Sequence, residues 1–241
     1  MKINKDLKNL KNKKILIVGG SSGFGLALVK IFLSYGAKVY YISRTKNNLS
    51  KATHLNIDLS NQNSLKIGIE KIKKLKINIL INSAAINYSK LHNKINISEW
   101  NEVMQVNLTS VFLICNAVLP FMKTIKSGKI INVSSIAGRH RSIVSGIHYV
   151  SSKAALIGFT RQLAYEVAKY NINVNAVCPS QTKTLMYKRT MTKAKEKELI
   201  KNIPLRRIAD VSEQVDPIVF LCTDSASYIT GSIVDINGGQ I

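Results

Sequence analysis

Several residue types are scarce in this chain, and each shortage excludes something. Three cysteines in 241 residues, Cys115, Cys178 and Cys222, lie far apart and form no CxxC pair. Neither a zinc site nor a disulfide framework is available to them, no metal is expected, and a reducing, cytoplasmic setting fits best. Long apolar runs are also missing. Val111 to Phe121 is interrupted by Cys115 and Asn116, and Ile77 to Ile81 is too short, so no transmembrane span is expected. Residues 1–13 carry lysines but no apolar core with a small-residue cleavage site, and they read as a basic, solvated leader. Acidic residues are the scarcest class relative to their opposites: 13 Asp and Glu face 35 Lys and Arg, a formal charge of +22. Such a charge attracts polyanions without sequence preference. The excess is mostly lysine scattered along the chain, as in Lys71, Lys73, Lys74 and Lys76, with no aromatic-interleaved basic stripe and no zinc finger. A compositional bias accounts for it, and no specific nucleic-acid partner is expected.

What is present is the make-up of a globular protein, with 46% hydrophobic and 20% charged residues. The length suits one α/β domain, expected over residues 14–241. Strand-like apolar runs alternate with helix-length amphipathic stretches: strands near 15–18, 39–42, 54–57, 77–81, 129–133, 172–177 and 233–236, and helices near 26–35, 62–75, 97–121, 148–170 and 211–222. Ser98 is the expected cap of the 97–121 helix and Pro120 its expected end. A basic, Met-containing insertion, 185–204, reads as a substrate lid. Regular βα alternation predicts a Rossmann-type doubly wound parallel sheet of about seven strands with helices on both faces.

Between the first strand and first helix stands Gly19-Gly20-Ser21-Ser22-Gly23-Phe24-Gly25. A glycine-rich turn there lets the backbone approach a pyrophosphate, whose charge meets the free N–H groups and dipole of the helix N-terminus. After the second strand come Ser43, Arg44, Thr45 and Lys46, not the acidic residue that would bind an NAD ribose. A hydroxyl and a guanidinium there favour the 2′-phosphate of NADP(H) over NAD(H). Arg44 could equally be one more surface charge. Further along, Tyr149 and Lys153 stand four apart on a predicted helix, so they share a face and the ammonium is expected to draw the phenol towards ionisation.

Taken together, Val18 to Gly25 (VGGSSGFG), Asn82 to Ala85 (NSAA), the VNLTSVF stretch holding Asn107, NVSSIAG holding Ser135, the Tyr149/Lys153 spacing and YITGSIVDINGG at 228–239 resemble the short-chain dehydrogenase/reductase family. The resemblance runs from Lys14 to the C-terminus and is strongest for compact members of the 3-oxoacyl carrier-protein reductase kind. It implies a catalytic set of Asn107, Ser135, Tyr149 and Lys153, in which Asn107 kinks its helix and holds a water leading from Lys153. It also implies a cofactor run through Gly19, Ser21, Ser22, Gly23, Phe24, Gly25, Ser43, Arg44, Asp58, Leu59, Asn82, Ala84, Tyr149, Lys153, Pro179, Thr182 and Thr184. A homotetramer built from the Asn107- and Tyr149-bearing helices and the last strands is implied as well. The sequence departs from the pattern at Val18, Ala85 and Ser180, where Thr and two Gly are usual. The function expected is NADP(H)-dependent transfer of a hydride to or from a carbonyl or alcohol, with a 3-oxoacyl thioester, or a small alcohol, polyol or sugar, as substrate. A fold that kept the cofactor and lost turnover, and a polyanion-binding protein, are the competing readings.

Overall fold

The computed structural model describes residues 7–183 and 193–241. The apolar runs become seven strands: β1 (Lys14–Val18), β2 (Lys38–Ser43), β3 (Thr53–Asn56), β4 (Ile79–Asn82), β5 (Gly128–Val133), β6 (Ile172–Pro179) and β7 (Ile233–Ile236). They form one sheet in the order β3-β2-β1-β4-β5-β6-β7, and every neighbouring pair is parallel. Strands covered on both faces read as continuous apolar runs, which is why β1, β4 and β6 are buried almost throughout. The order reverses between β1 and β4, and in such sheets a crevice for ligands opens at the C-terminal ends of the strands on either side of the reversal.

Two apolar layers flank the sheet. On one face α1 (Gly23–Ser34) and α8 (Val211–Leu221) bury Leu28, Val29, Phe32, Val215, Ile218 and Val219 against Ile15, Ile17 and Ile81. On the other, α2 (Gln62–Leu75), α4 (Ser110–Thr124) and α6 (Ile147–Val167) pack Leu65, Ile72, Ile114, Met122 and Leu156 against Leu16, Leu80 and Ile130. A third, separate cluster of Leu199, Ile203 and Ile208 holds α7 (Lys193–Lys201) to the segment after it. The insertion expected as a lid thus contains a helix, while Thr184 and 185–192 lie outside the described residues.

Four sequence expectations need correction. The helix foreseen over 97–121 is α3 (Ile97–Met104), a π-helical turn (Gln105–Thr109) and α4. Its cap is Asn96, whose side chain accepts the Glu99 N–H at 2.9 Å, rather than Ser98. Pro120 does not end it either: burial of Leu119 and Met122 carries the helix on to Thr124, whose hydroxyl donates to the Pro120 carbonyl at 3.0 Å. Taken as one rod, 97–124 is long and apolar enough to cross a bilayer, but more than half of its most apolar stretch is buried, as in the core helix of a soluble fold. Finally, the described part of the leader is not wholly solvated, because Leu10 is 3% exposed and packs with the α1 layer.

Candidate active site

At the C-terminal end of β1 the backbone turns on Gly19, whose φ of +88° lies in the left-handed region that favours glycine. The Gly19 and Gly20 N–H groups both donate to the Ile42 carbonyl, at 2.8 and 3.2 Å, tying the turn to the end of β2. A Cβ on Gly25 would stand 2.0 Å from the Gly19 oxygen, so the first turn of α1 can close on the loop only with glycine there. By contrast, nothing lies within 4 Å of where a Gly23 Cβ would be, and Ser22 puts no side-chain cap on the helix. The N-terminal N–H groups of α1, with no acidic residue in its first turn, are therefore free to meet an anion. That is the donor set a dinucleotide pyrophosphate needs. Ser21 and Phe24 are half-buried in this turn and Ser22 is exposed. The position where Val18 stands keeps its tie, since the Ser83 hydroxyl and N–H both reach the Val18 carbonyl, at 2.7 and 3.0 Å.

Beyond β2, Arg44, Thr45 and Lys46 are exposed and Ser43 is half-buried, its hydroxyl donating to the Thr45 carbonyl at 2.6 Å. Two neighbours here escape sequence reasoning because they are close only in space. His54, opposite Tyr41 in the β2/β3 register, stacks on that ring at 4.9 Å and places Nε2 3.0 Å from the Ser43 carbonyl. Asn47 takes the Tyr41 hydroxyl as acceptor for its N–H and donates its side chain to the Gly20 carbonyl at 3.1 Å, linking this loop to the glycine-rich turn.

Asp58 accepts from the Ser60 hydroxyl and N–H, at 2.7 and 3.0 Å, and the Ser60 hydrogen bond keeps its carboxyl below the usual range. Leu59 is buried, with its carbonyl accepting from the Gln105 side chain. Ala84 packs against Gly19, where a Cβ on the glycine would come within 2.8 Å of Ala84 backbone. The Asn82 side chain faces inward, donating to Asn132 at 2.8 Å, so only its backbone is left for a ligand. Pro179 ends β6, the Ser180 N–H donates to the Ile236 carbonyl, and Thr182 is bridged to Ala209.

Of the four side chains foreseen as a set, Ser135, Tyr149 and Lys153 are neighbours, and Asn107 reaches Tyr149 only through Ser152. Ser135 caps the short α5 (Ile136–Arg139), and its oxygen accepts the Ala137 N–H at 3.1 Å, which leaves its own proton to give away. Tyr149 is hydrogen-bonded to Ser135, but burial is the larger influence and raises the phenol above its ordinary value. The expectation that Lys153 would pull the phenol down is therefore not met. The Lys153 Nζ lies 5.7 Å from the Tyr149 ring centroid and donates to the Val133 carbonyl, and burial lowers its pKa to about 8. Ser134, adjacent to Ser135, is committed elsewhere: its hydroxyl donates to the Lys153 carbonyl at 2.8 Å and holds α6 to β5.

Asn107 sits in the π turn and is fully buried. Its carboxamide accepts from the Ile86 N–H at 2.9 Å and donates to the Ile86 carbonyl and the Ser152 hydroxyl, both at 3.0 Å. A π-helical turn stands where the kink was expected. The water expected on Asn107 finds both side-chain N–H groups already used. His148 is fully buried and its Nδ1 accepts the Tyr149 N–H at 2.9 Å. Arg139 pairs with Asp235 at 3.0 Å.

Comparison with known proteins agrees with this geometry. A family model described as short chain dehydrogenase matches residues 13–195. The 3-oxoacyl-[acyl-carrier-protein] reductase FabG of Thermotoga maritima is 34% identical over 245 aligned residues, 96% of this chain and 99% of that one. Among solved structures, a putative NAD(P)-dependent gluconate 5-dehydrogenase from Beutenbergia cavernae with bound NADP superposes with a TM-score of 0.90 at 26% identity, covering 96% of this chain and 97% of that one. A short chain dehydrogenase from Leptospira borgpetersenii with bound NAD+ gives 0.88 at 28% identity, over 95% and 93% of the two chains. Shared fold and a match along most of the sequence lead to one assignment: the chain belongs to the short-chain dehydrogenase family of oxidoreductases.

Proposed function

We propose that the chain, as a single catalytic domain over 14–241 with a lid near 185–204, reduces a 3-oxoacyl thioester with NADPH in the cytoplasm. One observation carries the reading: Ser135, which neighbours Tyr149 and through it Lys153, follows the C-terminal end of β5 as the glycine-rich turn follows that of β1 in the same parallel sheet. The reading needs a dinucleotide, and the open, uncapped N-terminus of α1 beside a glycine-only contact at Gly25 suits its pyrophosphate. Gly19 to Gly25 would hold that group, Ser43 and Arg44 the ribose end, Asp58 and Leu59 the adenine, and Ala84, Pro179, Thr182 and Thr184 the nicotinamide side. When bound, the nicotinamide supplies the hydride.

The chain's own residues do the rest. Burial keeps the Tyr149 phenol protonated, which makes it an acid able to give its proton to the carbonyl oxygen as negative charge develops there. Ser135 donates to the same oxygen, because its own acceptor role is already filled by Ala137. Lys153, cationic below about pH 8, offsets the phenolate left behind. Asn107 fixes the Ile86 loop and Ser152, whose hydroxyl in turn donates to the Tyr149 carbonyl at 2.8 Å, so it positions the acid.

The thioester is favoured over other carbonyls because the Thermotoga maritima relative bears that activity in its name and aligns along nearly the whole chain. Reduction of a keto-sugar or small ketone is the second reading, supported by the gluconate dehydrogenase likeness. Titration with NADPH and NADH, followed by absorbance decay over acyl-thioester, diketone and keto-sugar substrates, separates them. Turnover of acyl thioesters with NADPH is the expected result; turnover of keto-sugars alone, or of nothing despite cofactor binding, overturns it.

A further inference from the structure

We infer that His54 is a positioning residue for cofactor choice, acting through Ser43 on whatever group the cofactor carries at its ribose 2′ position. The inference rests on the reading that the turn after β2 receives that ribose.

The His54 Nε2 lies 3.0 Å from the Ser43 carbonyl oxygen, which can only accept, so Nε2 carries a hydrogen. The same nitrogen lies 3.1 Å from Ser43 Oγ. Ser43 has one proton, and it is directed at the Thr45 carbonyl, 2.6 Å away. The single His54 N–H is therefore shared between the two oxygens of Ser43, and Oγ keeps a second lone pair able to accept. The ring cannot swing away freely, because it stacks on the buried Tyr41 at 4.9 Å with planes 25° apart. Tyr41 is itself held by the Asn47 N–H at 3.0 Å.

Two ligands meet this arrangement differently. A ribose 2′-hydroxyl is a donor, and Ser43 Oγ accepts it with no change in its bond to Thr45. A 2′-phosphate has only acceptors for Ser43 to satisfy, so the Ser43 proton must turn from Thr45 to the phosphate. The His54 N–H then becomes the first link of a chain, His54 to Ser43 to phosphate, and donation into Oγ strengthens the bond Oγ gives away. Arg44 adds the charge, and His54 holds and polarises the hydroxyl beside it. Removing the His54 donor should thus weaken the phosphate-bearing cofactor more than the other.

The test is cofactor affinity by fluorescence titration for wild type, His54→Phe and His54→Gln. Phenylalanine keeps a ring on Tyr41 without a donor; glutamine keeps a donor without the ring. His54→Phe should raise the NADPH Kd by about 5- to 10-fold, the loss of the neutral hydrogen bond that supports the Ser43 donor, and the NADH Kd by less than about 2-fold. His54→Gln should recover part of the NADPH affinity. An unchanged NADPH-to-NADH ratio in both variants overturns the inference, whichever cofactor the wild type prefers. Wild-type preference for NADH would instead overturn the NADP reading alone, so the two failures are separable. Should the variants fail to fold, the His54 ring nitrogens of the wild type are followed by NMR. Nε2 should be protonated and shift more with 2′,5′-ADP than with 5′-ADP, and equal shifts would overturn the inference.

Discussion

Lys153 Nζ donates to the Val133 carbonyl at 2.7 Å while the side chain is 2% exposed, so a cation is stored in the protein interior against a single backbone dipole. Burial outweighs that bond and lowers the pKa to about 8, from the ordinary lysine value of 10.5. Between those two values the unfolded chain holds a proton the folded chain has lost, so stability rises with pH across that window. At neutral pH the buried charge costs on the order of 3 kcal/mol. Replacing it by methionine should therefore raise the melting temperature at pH 7 by several degrees and abolish turnover. The gap should close between about pH 8 and 10.5. Melting curves over that range check it, and a gap that ignores pH would mean the lysine is not the source.

The Tyr149 phenol supports a separate prediction about direction. With its pKa raised by burial, the protonated acid is available across the neutral range and the phenolate is scarce. Carbonyl reduction should hold its rate through neutral pH. Alcohol oxidation, which needs the phenolate as base, should climb as pH rises above neutrality. Tyr149→Phe should cut kcat by roughly 10²- to 10⁴-fold in either direction and leave the NADPH Kd within about twofold, because general acid–base catalysis contributes that much and the phenol is not needed to bind the pyrophosphate. Stopped-assay rates at several pH values, with Kd from cofactor fluorescence, decide it.

Much of this architecture is legible in the sequence, and the limits have physical causes. Buried parallel strands leave unbroken apolar runs, and the glycine turn at 19–25 advertises a backbone contact no other residue permits, as the 2.0 Å approach at Gly25 shows. The π turn at Gln105–Thr109 leaves no such trace, since it shifts the hydrogen-bond register without changing which residues are apolar. Pro120 misleads because burial of its neighbours outweighs the lost backbone bond. The pKa of Tyr149 misleads for another reason: helical spacing places Lys153 on the correct face, but only the fold shows that Nζ is drawn off to Val133. His54 and Asn47 matter through partners on other strands and loops, which no local pattern predicts.

Asn107 offers a check on the π turn itself. Its carboxamide makes three hydrogen bonds, two to the Ile86 backbone and one to Ser152, in a fully buried site. Alanine leaves the Ile86 N–H and carbonyl without these partners, and each such loss costs about 1–3 kcal/mol. Asn107→Ala should lose roughly 2–4 kcal/mol in urea unfolding and lower kcat more than it raises KM, since Tyr149 is held through Ser152. Loss of stability with kcat intact would reduce Asn107 to a structural staple.

The last prediction concerns assembly, which periodicity does not reveal. Phe112 on α4 is 48% exposed and Tyr165 on α6 is 84% exposed. A second set, Phe220, Tyr228 and Ile241, is exposed around the end of α8 and the chain terminus. Scattered surface hydrophobics are ordinary, but aromatics on α4, which follows the Asn107 π turn, and on α6, which carries Tyr149, offer surface a second subunit can cover. Two such faces on one chain would close a tetramer by pairs of twofold contacts. Light scattering should give four times the subunit mass. The double change Phe112→Lys and Tyr165→Lys should halve it by placing like charges on one face, and leave the other face paired. A single-subunit mass for the wild type would remove both interfaces at once, and a double variant that remains tetrameric would move the first interface off these helices.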